Sequence, residues 1–270
     1  MKKIIIPNTN FKCSRLIFGT GSLLNIFNKK KRLELLESAV DLGFTHFDTS
    51  PYYGFGLAEE NLGEIFKKNK NLTITTKVCL YPPSKLNHNF FEMVFRKSAG
   101  KIIPKLSKPN IDFSIDFAKQ SIDRSLKKMN IDNIDILLIH EPIINLLNID
   151  EWKNFFENYV KIGKIKYFGL SSLNSMRIKK FLNTEKKLFD IIQTLDSIDL
   201  QEANFISDNN LPFQITHGYI SSLKKRQPKT PLKNVFKDII NRNPKGAIIF
   251  STTRKKNLYE ITNLLKINDQ

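Results

Sequence analysis

The stretch NIDILLIHEPIINLLNIDEWKNFFENYVKIGKIKYFGLSS, residues 133–172, decides the fold. NIDILLIH (133–140) is a nearly unbroken apolar run, and KYFGLSS (166–172) is a second strand candidate. Apolar runs of that length are typical of strands buried on both faces. Between them Trp152, Phe155, Phe156, Tyr159 and Val160 recur at i, i+3, i+4, i+7 and i+8. That is the stripe of an amphipathic helix, with Asp150 expected as its N-cap and Gly163 as its C-cap. Strand, helix and strand in this spacing make one unit of a parallel sheet.

The same alternation runs outward in both directions. LIFGT (16–20), THFDTS (45–50), LTITTKV (72–78), FDIIQTL (189–195), PFQITHG (212–218) and GAIIFST (246–252) bring the strand candidates to eight. Helices are expected over Lys31–Leu42, with Leu33, Leu36, Ala39 and Val40 on one face, and over Ala58–Lys68. Others are expected from Ser114, as cap, to Lys128, and over Leu258–Leu265. Eight such units favour an α/β chain closed as a (β/α)8 TIM barrel, a single domain over residues 1–270, rather than an open doubly wound sheet. An open dinucleotide-binding sheet usually carries GxGxxG after its first strand. Here FGTGSLL (18–24) has Gly19 and Gly21 but Leu24 in the third place.

Composition agrees with a globular chain: 41% of residues are apolar and 26% charged, which excludes extended disorder and collagen-like repeats. Two cysteines, Cys13 and Cys79, are too few for a disulfide framework, and His46 and His88 lack metal-ligand companions, so no metal is expected. No apolar run is long enough to span a bilayer, and the N-terminal MKKIIIPNTNF is too short in apolar residues for a signal core. The expectation is a cytoplasmic protein with no membrane partner. The net charge of +17 stands out, but the lysines are spread along the chain among many Asn and Ile residues. Coding bias accounts for that pattern without a binding stripe, so nucleic acid is not expected as a partner.

Working residues of a βα barrel lie at the C-terminal strand ends and in the loops after them. Asp48, Lys77, His140, Ser171, Ser172, Gln193, Ser251 and Thr252 are the polar residues there, with Tyr53 in the loop after the second strand. Tyrosine, with an ordinary pKa of about 10, needs help to exchange a proton at neutral pH. A nearby ammonium lowers it, a carboxylate holds the ammonium, and a histidine can donate to a carbonyl oxygen. Asp48, Tyr53, Lys77 and His140 suit those four tasks.

FDTSPYYG (47–54), AEENLG (58–63), TTKV (75–78), IDILLIHEP (134–142), GKIKYFGLSS (163–172) and IIQ (191–193) resemble, in order, the motifs of the aldo-keto reductases. The resemblance runs from Phe18 to Glu260. It implies that Asp48, Tyr53, Lys77 and His140 form the catalytic tetrad, Tyr53 rather than Tyr52 because it directly precedes Gly54. It implies NADPH, less often NADH, as hydride carrier for an aldehyde or ketone. The family's carboxamide contacts map onto Ser171, Ser172 and Gln193, with Ser172 in place of the more usual Asn. Gly21 and Ser22 stand for its Gly-Thr after the first strand. In STTRKKNLYEI (251–261), Ser251, Thr252, Arg254, Lys255 and Lys256 fall where the family holds the 2′-phosphate. Asn257 replaces its common arginine, and Ile261 its adenine-binding Asn. HGY (217–219) replaces the aromatic-Ser-Pro, placing His217 against the nicotinamide.

The chain ends shortly after its last helix, so an open mouth and a polar or bulky, sugar-like substrate are expected. The irregular segment 79–111 carries Tyr81, Phe90, Phe91, Phe95, Arg96, Lys97, Lys101 and Lys105 and is expected to wall the substrate and favour an anionic one. The expected protein is a monomer or weak oligomer. A non-catalytic nicotinamide-binding regulatory or interaction protein of the same fold is the alternative.

Overall fold

The computed structural model describes residues 1–83, 89–100, 102–184 and 189–268. His88 and Lys101 lie outside them. In chain order the strands are β1 (Lys3–Ile5), β2 (Lys12–Ser14), β3 (Leu16–Gly19), β4 (His46–Asp48), β5 (Thr73–Val78), β6 (Leu80–Tyr81), β7 (Asn110–Ile111), β8 (Ile134–His140), β9 (Ile165–Ser172), β10 (Ile191–Leu195), β11 (Ile215–His217) and β12 (Ala247–Phe250). The helices are α1 (Lys29–Asp41), α2 (Leu57–Lys68), α3 (Phe90–Ala99), α4 (Ile115–Met129), α5 (Ile149–Lys161), α6 (Ser175–Thr184), α7 (Asn204–Asp208), α8 (Tyr219–Arg226), α9 (Leu232–Arg242) and α10 (Lys255–Asn268).

Eight parallel strands close on themselves in the order β3-β4-β5-β8-β9-β10-β11-β12, and β12 pairs back to β3 through Ile249 and Ile17. This is the (β/α)8 barrel expected from the strand count. The antiparallel β1-β2 hairpin shuts its lower end. Ile6, Phe11 and Cys13 of that hairpin pack on Ile17, Ile136, Ile191, Ile215 and Ala247 from the early parts of the barrel strands. With the lower end filled, the C-terminal rim is the end left for chemistry.

The outer layer follows the apolar stripes, with some corrections. On α5, Trp152, Phe155, Phe156 and Tyr159 are buried, while Val160 lies at the edge and is exposed. Phe156 stacks on Phe168 of β9 with ring centroids 4.6 Å apart, and burying a ring of that size contributes about 1.5–3 kcal/mol. The N-cap of α5 is Asn148, whose Oδ1 accepts from Glu151 N, and not Asp150, which sits in the first turn. Gly163 follows the end of the helix at φ 73°. Ser114 occupies the N-cap of α4, but its hydroxyl makes no capping bond. On α1 the buried face is Arg32, Leu35, Leu36, Ser38 and Ala39, so Leu33 and Val40 lie at its margin.

The segment after β5 is not irregular throughout. It holds the β6-β7 pair and α3, with Tyr52 Oη donating to Ser107 O at 3.1 Å to tie it to the rim.

Candidate active site

β4 and β5 are neighbours, with Asp48 opposite Thr75, so Asp48 and Lys77 leave the sheet on the same side. Lys77 Nζ donates to both carboxylate oxygens of Asp48 at 2.8 Å and to Thr49 O at 2.8 Å. The two side chains are 1% and 5% exposed. Directly after β4 the chain makes a tight turn, with Gly54 at φ 57° and Phe55 at φ 57°. A Cβ on Gly54 would collide with Leu24, so glycine is required there on two counts.

This turn brings the Tyr53 ring to 4.9 Å from Lys77 Nζ and edge-on to His140 at 6.0 Å. His140, at the end of β8, has Nδ1 3.4 Å from Ser50 Oγ. Tyr53 and His140 border a cavity of about 660 Å³ at the C-terminal rim, together with Asp48, Ser171, Gln193 and His217. That volume is ordinary for a small-molecule site.

The charges are distributed by burial and by the Lys77–Asp48 ion pair. Burial alone would push the Lys77 ammonium to lose its proton, but Asp48 and Tyr53 together outweigh it, and its pKa is raised. Burial raises the Tyr53 phenol above its ordinary value, with Lys77 drawing it only part of the way back. The sequence argument, which weighed the ammonium alone, expected the opposite sign. Burial, then Lys77 and His217, hold His140 well below the usual histidine range. Burial also pushes His217 down to about 4, with Asp48 and Lys77 acting in opposite senses. At neutral pH the site therefore presents a protonated tyrosine and two neutral imidazoles above one buried ion pair. That set can give a proton to a developing alkoxide and hydrogen-bond a carbonyl oxygen.

Ser171 and Gln193 form a polar bracket beside the tetrad. Ser171 Oγ lies 2.5 Å from Gln193 Oε1, and Gln193 Nε2 donates to Asp48 Oδ2 at 2.7 Å. These neutral, hydrogen-bonding groups fit a carboxamide. Gly21 borders the same cavity beside the Tyr53 ring.

The model of the aldo/keto reductase family matches residues 15–204. This chain belongs to that family. The aldo-keto reductase YhdN of Bacillus subtilis is 27% identical over 188 residues, covering 67% of this chain and 50% of that protein. The aldo-keto reductase yakc [NADP(+)] of Schizosaccharomyces pombe is 26% identical over 178 residues, covering 65% and 45%. The chain thus spans about half the length of these curated relatives. An aldo-keto reductase of Bacillus halodurans in its holo form superposes with a TM-score of 0.74 at 20% identity, over 98% of this chain and 91% of that one. At that identity the likeness is one of fold.

Against this family frame, the residues singled out in the sequence fall into two groups. Gly21, Asp48, Tyr53, His140, Ser171, Gln193, His217 and Ser251 line the cavity, with Lys77 beneath. Ser22, Ser172, Thr252 and Arg254 do not line it. Ser22 Oγ is buried without a hydrogen-bond partner. Ser172 Oγ donates to Glu141 Oε2 at 2.8 Å. Thr252 Oγ1 accepts from Asn257 Nδ2 at 2.9 Å and from Arg254 N at 3.2 Å. Arg254 is exposed just before α10, and Ile261 is buried in the core.

The expected wall residues Arg96 and Lys97 do not border the cavity either. Arg96 pairs with Glu92 at 2.9 Å and Lys97 lies over the Phe55 ring. Leu80, Pro109 and Ile111 from the two ends of that segment line the cavity instead.

Sequence reasoning missed Glu141 and Arg177. Glu141 takes φ 55° directly after His140, accepts from Leu173 N at 2.6 Å and from Arg177 Nη1 at 3.2 Å, and borders the cavity. The only sequence signal was its place next to His140. Among the described residues, no helix is long and apolar enough to cross a membrane, and no group of three His, Cys, Asp or Glu residues is placed to hold a metal ion.

Proposed function

We propose that this chain interconverts a small carbonyl compound and its alcohol, with NADP(H) as the hydride carrier and Tyr53 as acid and base. The observation that carries this reading is the convergence of Tyr53, His140 and the Lys77–Asp48 pair on one face of the cavity. The non-catalytic alternative has no observation in its favour, because no member of the tetrad is missing.

The cofactor supplies a hydride at its nicotinamide when bound. Ser171 and Gln193 would hold its carboxamide, with Gly21 lining the cavity beside them. Arg254, with Lys255 and Lys256 at the start of α10, suits a 2′-phosphate, since charge-assisted bonds to phosphate are strong. The yeast relative is named for NADP(+), which agrees with that choice.

His140 donates to the substrate carbonyl oxygen as a neutral imidazole and fixes its position. Tyr53 then passes its phenolic proton to the oxygen as negative charge develops there. Lys77 stabilises the tyrosinate that remains, and Asp48 keeps Lys77 charged and in place. In the reverse direction tyrosinate accepts the proton.

The substrate is small and polar, sugar-like in its hydroxyl content, and an anionic group is accommodated at the rim by Lys224, which borders the cavity. The protein works as one domain, in the cytoplasm, as a monomer or weak oligomer. The test is oxidation of NADPH and, separately, of NADH by the purified protein with a reactive aromatic aldehyde, beside fluorescence titration of each nucleotide. Turnover preferring NADPH is expected; nucleotide binding without turnover over a range of aldehydes and sugars would overturn the proposal.

A further inference from the structure

The segment between β5 and α4 carries a helix whose outward face is unlike that of the other helices. α3 turns Phe90, Met93 and Val94 into the protein. Phe91 and Phe95, one turn apart on the other side, are 83% and 67% exposed, and Ile102 and Ile103 just beyond are 86% and 54% exposed. Phe27, 69% exposed in the loop before α1, joins this face. Its ring meets Phe90 edge-on at 5.7 Å, and Phe90 meets Phe91 at 6.1 Å. Single exposed apolar side chains are ordinary on a soluble protein, whereas several on one short segment, part of them in ring contact, mark an interaction site.

The charge around this face has one sign. Lys29, Lys30 and Lys31 follow Phe27 and are exposed in the first turn of α1, with no acidic residue in that turn. Cations there oppose the helix dipole, so the run is locally unfavourable and calls for another reason. Lys105 and Lys108 stand exposed beyond Ile103. Over residues 22–33 and 89–110 the sequence has one acid, Glu92, and it is paired with Arg96.

We propose that this face docks on an anionic lipid bilayer. Phe91, Phe95 and the two isoleucines enter the boundary between headgroups and acyl chains, and the lysines on both sides meet the phosphates, as in amphipathic helices that lie in a membrane surface. A second copy of the chain is a poor occupant, because it would bring the same net charge of +17. Nucleic acid would satisfy the lysines and stack on the rings, but would leave Ile102 and Ile103 without a role. The sequence argument against a membrane partner addressed spanning segments, and a surface that lies on a bilayer needs none. Pro109 and Ile111, at the end of the same segment, border the cavity, so the docked protein holds its mouth near the lipid headgroups.

Flotation of the full chain with vesicles tests this. The protein should float with phosphatidylcholine–phosphatidylglycerol vesicles at low salt, and far less with pure phosphatidylcholine or at high salt. Phe91→Ser with Phe95→Ser, and separately Lys29→Gln, Lys30→Gln and Lys31→Gln together, should each lower the partition coefficient at least about tenfold. Circular dichroism and reduction of a water-soluble aldehyde should stay unchanged. Failure of the wild-type chain to bind anionic vesicles, or equal binding by both variants, would overturn the proposal. So would self-association, seen by sedimentation velocity, that Phe91→Ser with Phe95→Ser abolishes.

Discussion

Asp48→Asn removes the counter-charge of a lysine that is 1% exposed. Lys77 Nζ keeps Thr49 O and an amide oxygen as acceptors, but no opposite charge remains to offset its lost hydration. Breaking a buried ion pair from one side typically costs about 3–5 kcal/mol. That is a large share of the roughly 5–15 kcal/mol that holds a domain folded. The pH dependence gives a sharper test, because its sign reverses.

In the wild-type chain the folded pKa of Lys77 is raised, so its contribution is complete below about pH 10 and declines as pH rises through the folded value. Without Asp48, burial prevails and the folded pKa falls below the unfolded one. The variant should therefore gain stability as pH rises from about 7 to about 9.5, where unfolded lysine still holds its proton. Urea unfolding followed by circular dichroism at those two pH values measures both effects. Asp48→Asn with Lys77→Met should recover most of the loss, since no charge is then left buried. A loss under about 1 kcal/mol, or an unchanged pH slope, would refute the reasoning.

Three further outcomes are expected. His46, fully buried between the hydroxyls of Thr73 and Thr75 at 2.7 Å, is pushed down to about 3 by burial and by Lys77. The unfolded chain takes up that proton near pH 6.5 and the folded chain does not, so stability falls as pH drops below about 6.5; His46→Gln should flatten that part of an acid titration. Gly218→Ala places a Cβ against Leu195 and Asp196 O at φ 103°, and a loss of about 1–3 kcal/mol is expected in thermal unfolding. Arg254→Gln should raise KM for NADPH about tenfold, equivalent to about 1.4 kcal/mol, and leave KM for NADH unchanged in steady-state assays.

The barrel was legible because its strands are buried on both faces, and runs such as Ile134–His140 admit few other readings. Strand ends were less so: Thr49 and Ser50 look like strand residues but leave the ladder after Asp48 to begin the turn that carries Tyr53. The helices after the fifth to seventh strands were not read. α7 is five residues long, too short to display a period. α9 does display one, with Leu232, Val235, Phe236, Ile239 and Ile240 at i, i+3, i+4, i+7 and i+8 against the core, so that stripe was legible and went unread. Missing α6 also hid Arg177, whose partner Glu141 reaches it through a left-handed turn that the sequence does not mark. The polar set at the strand ends was visible because side-chain type and strand position are both local properties. The sign of the Tyr53 shift was not, since it depends on how deeply the phenol is buried. Side-chain partners were equally hidden: nothing in the sequence shows that the Ser172 hydroxyl donates to Glu141 or that the Ser22 hydroxyl is buried without a partner.

The measurement that bears most directly on the central claim is single-turnover oxidation of bound NADPH by a reactive aldehyde, in the wild-type chain and in Tyr53→Phe. Removing the phenolic proton donor while keeping the ring should slow the step about 10²–10⁴-fold, with nucleotide affinity unchanged. A variant that transfers hydride at the wild-type rate would contradict the role given to Tyr53 and the mechanism built on it.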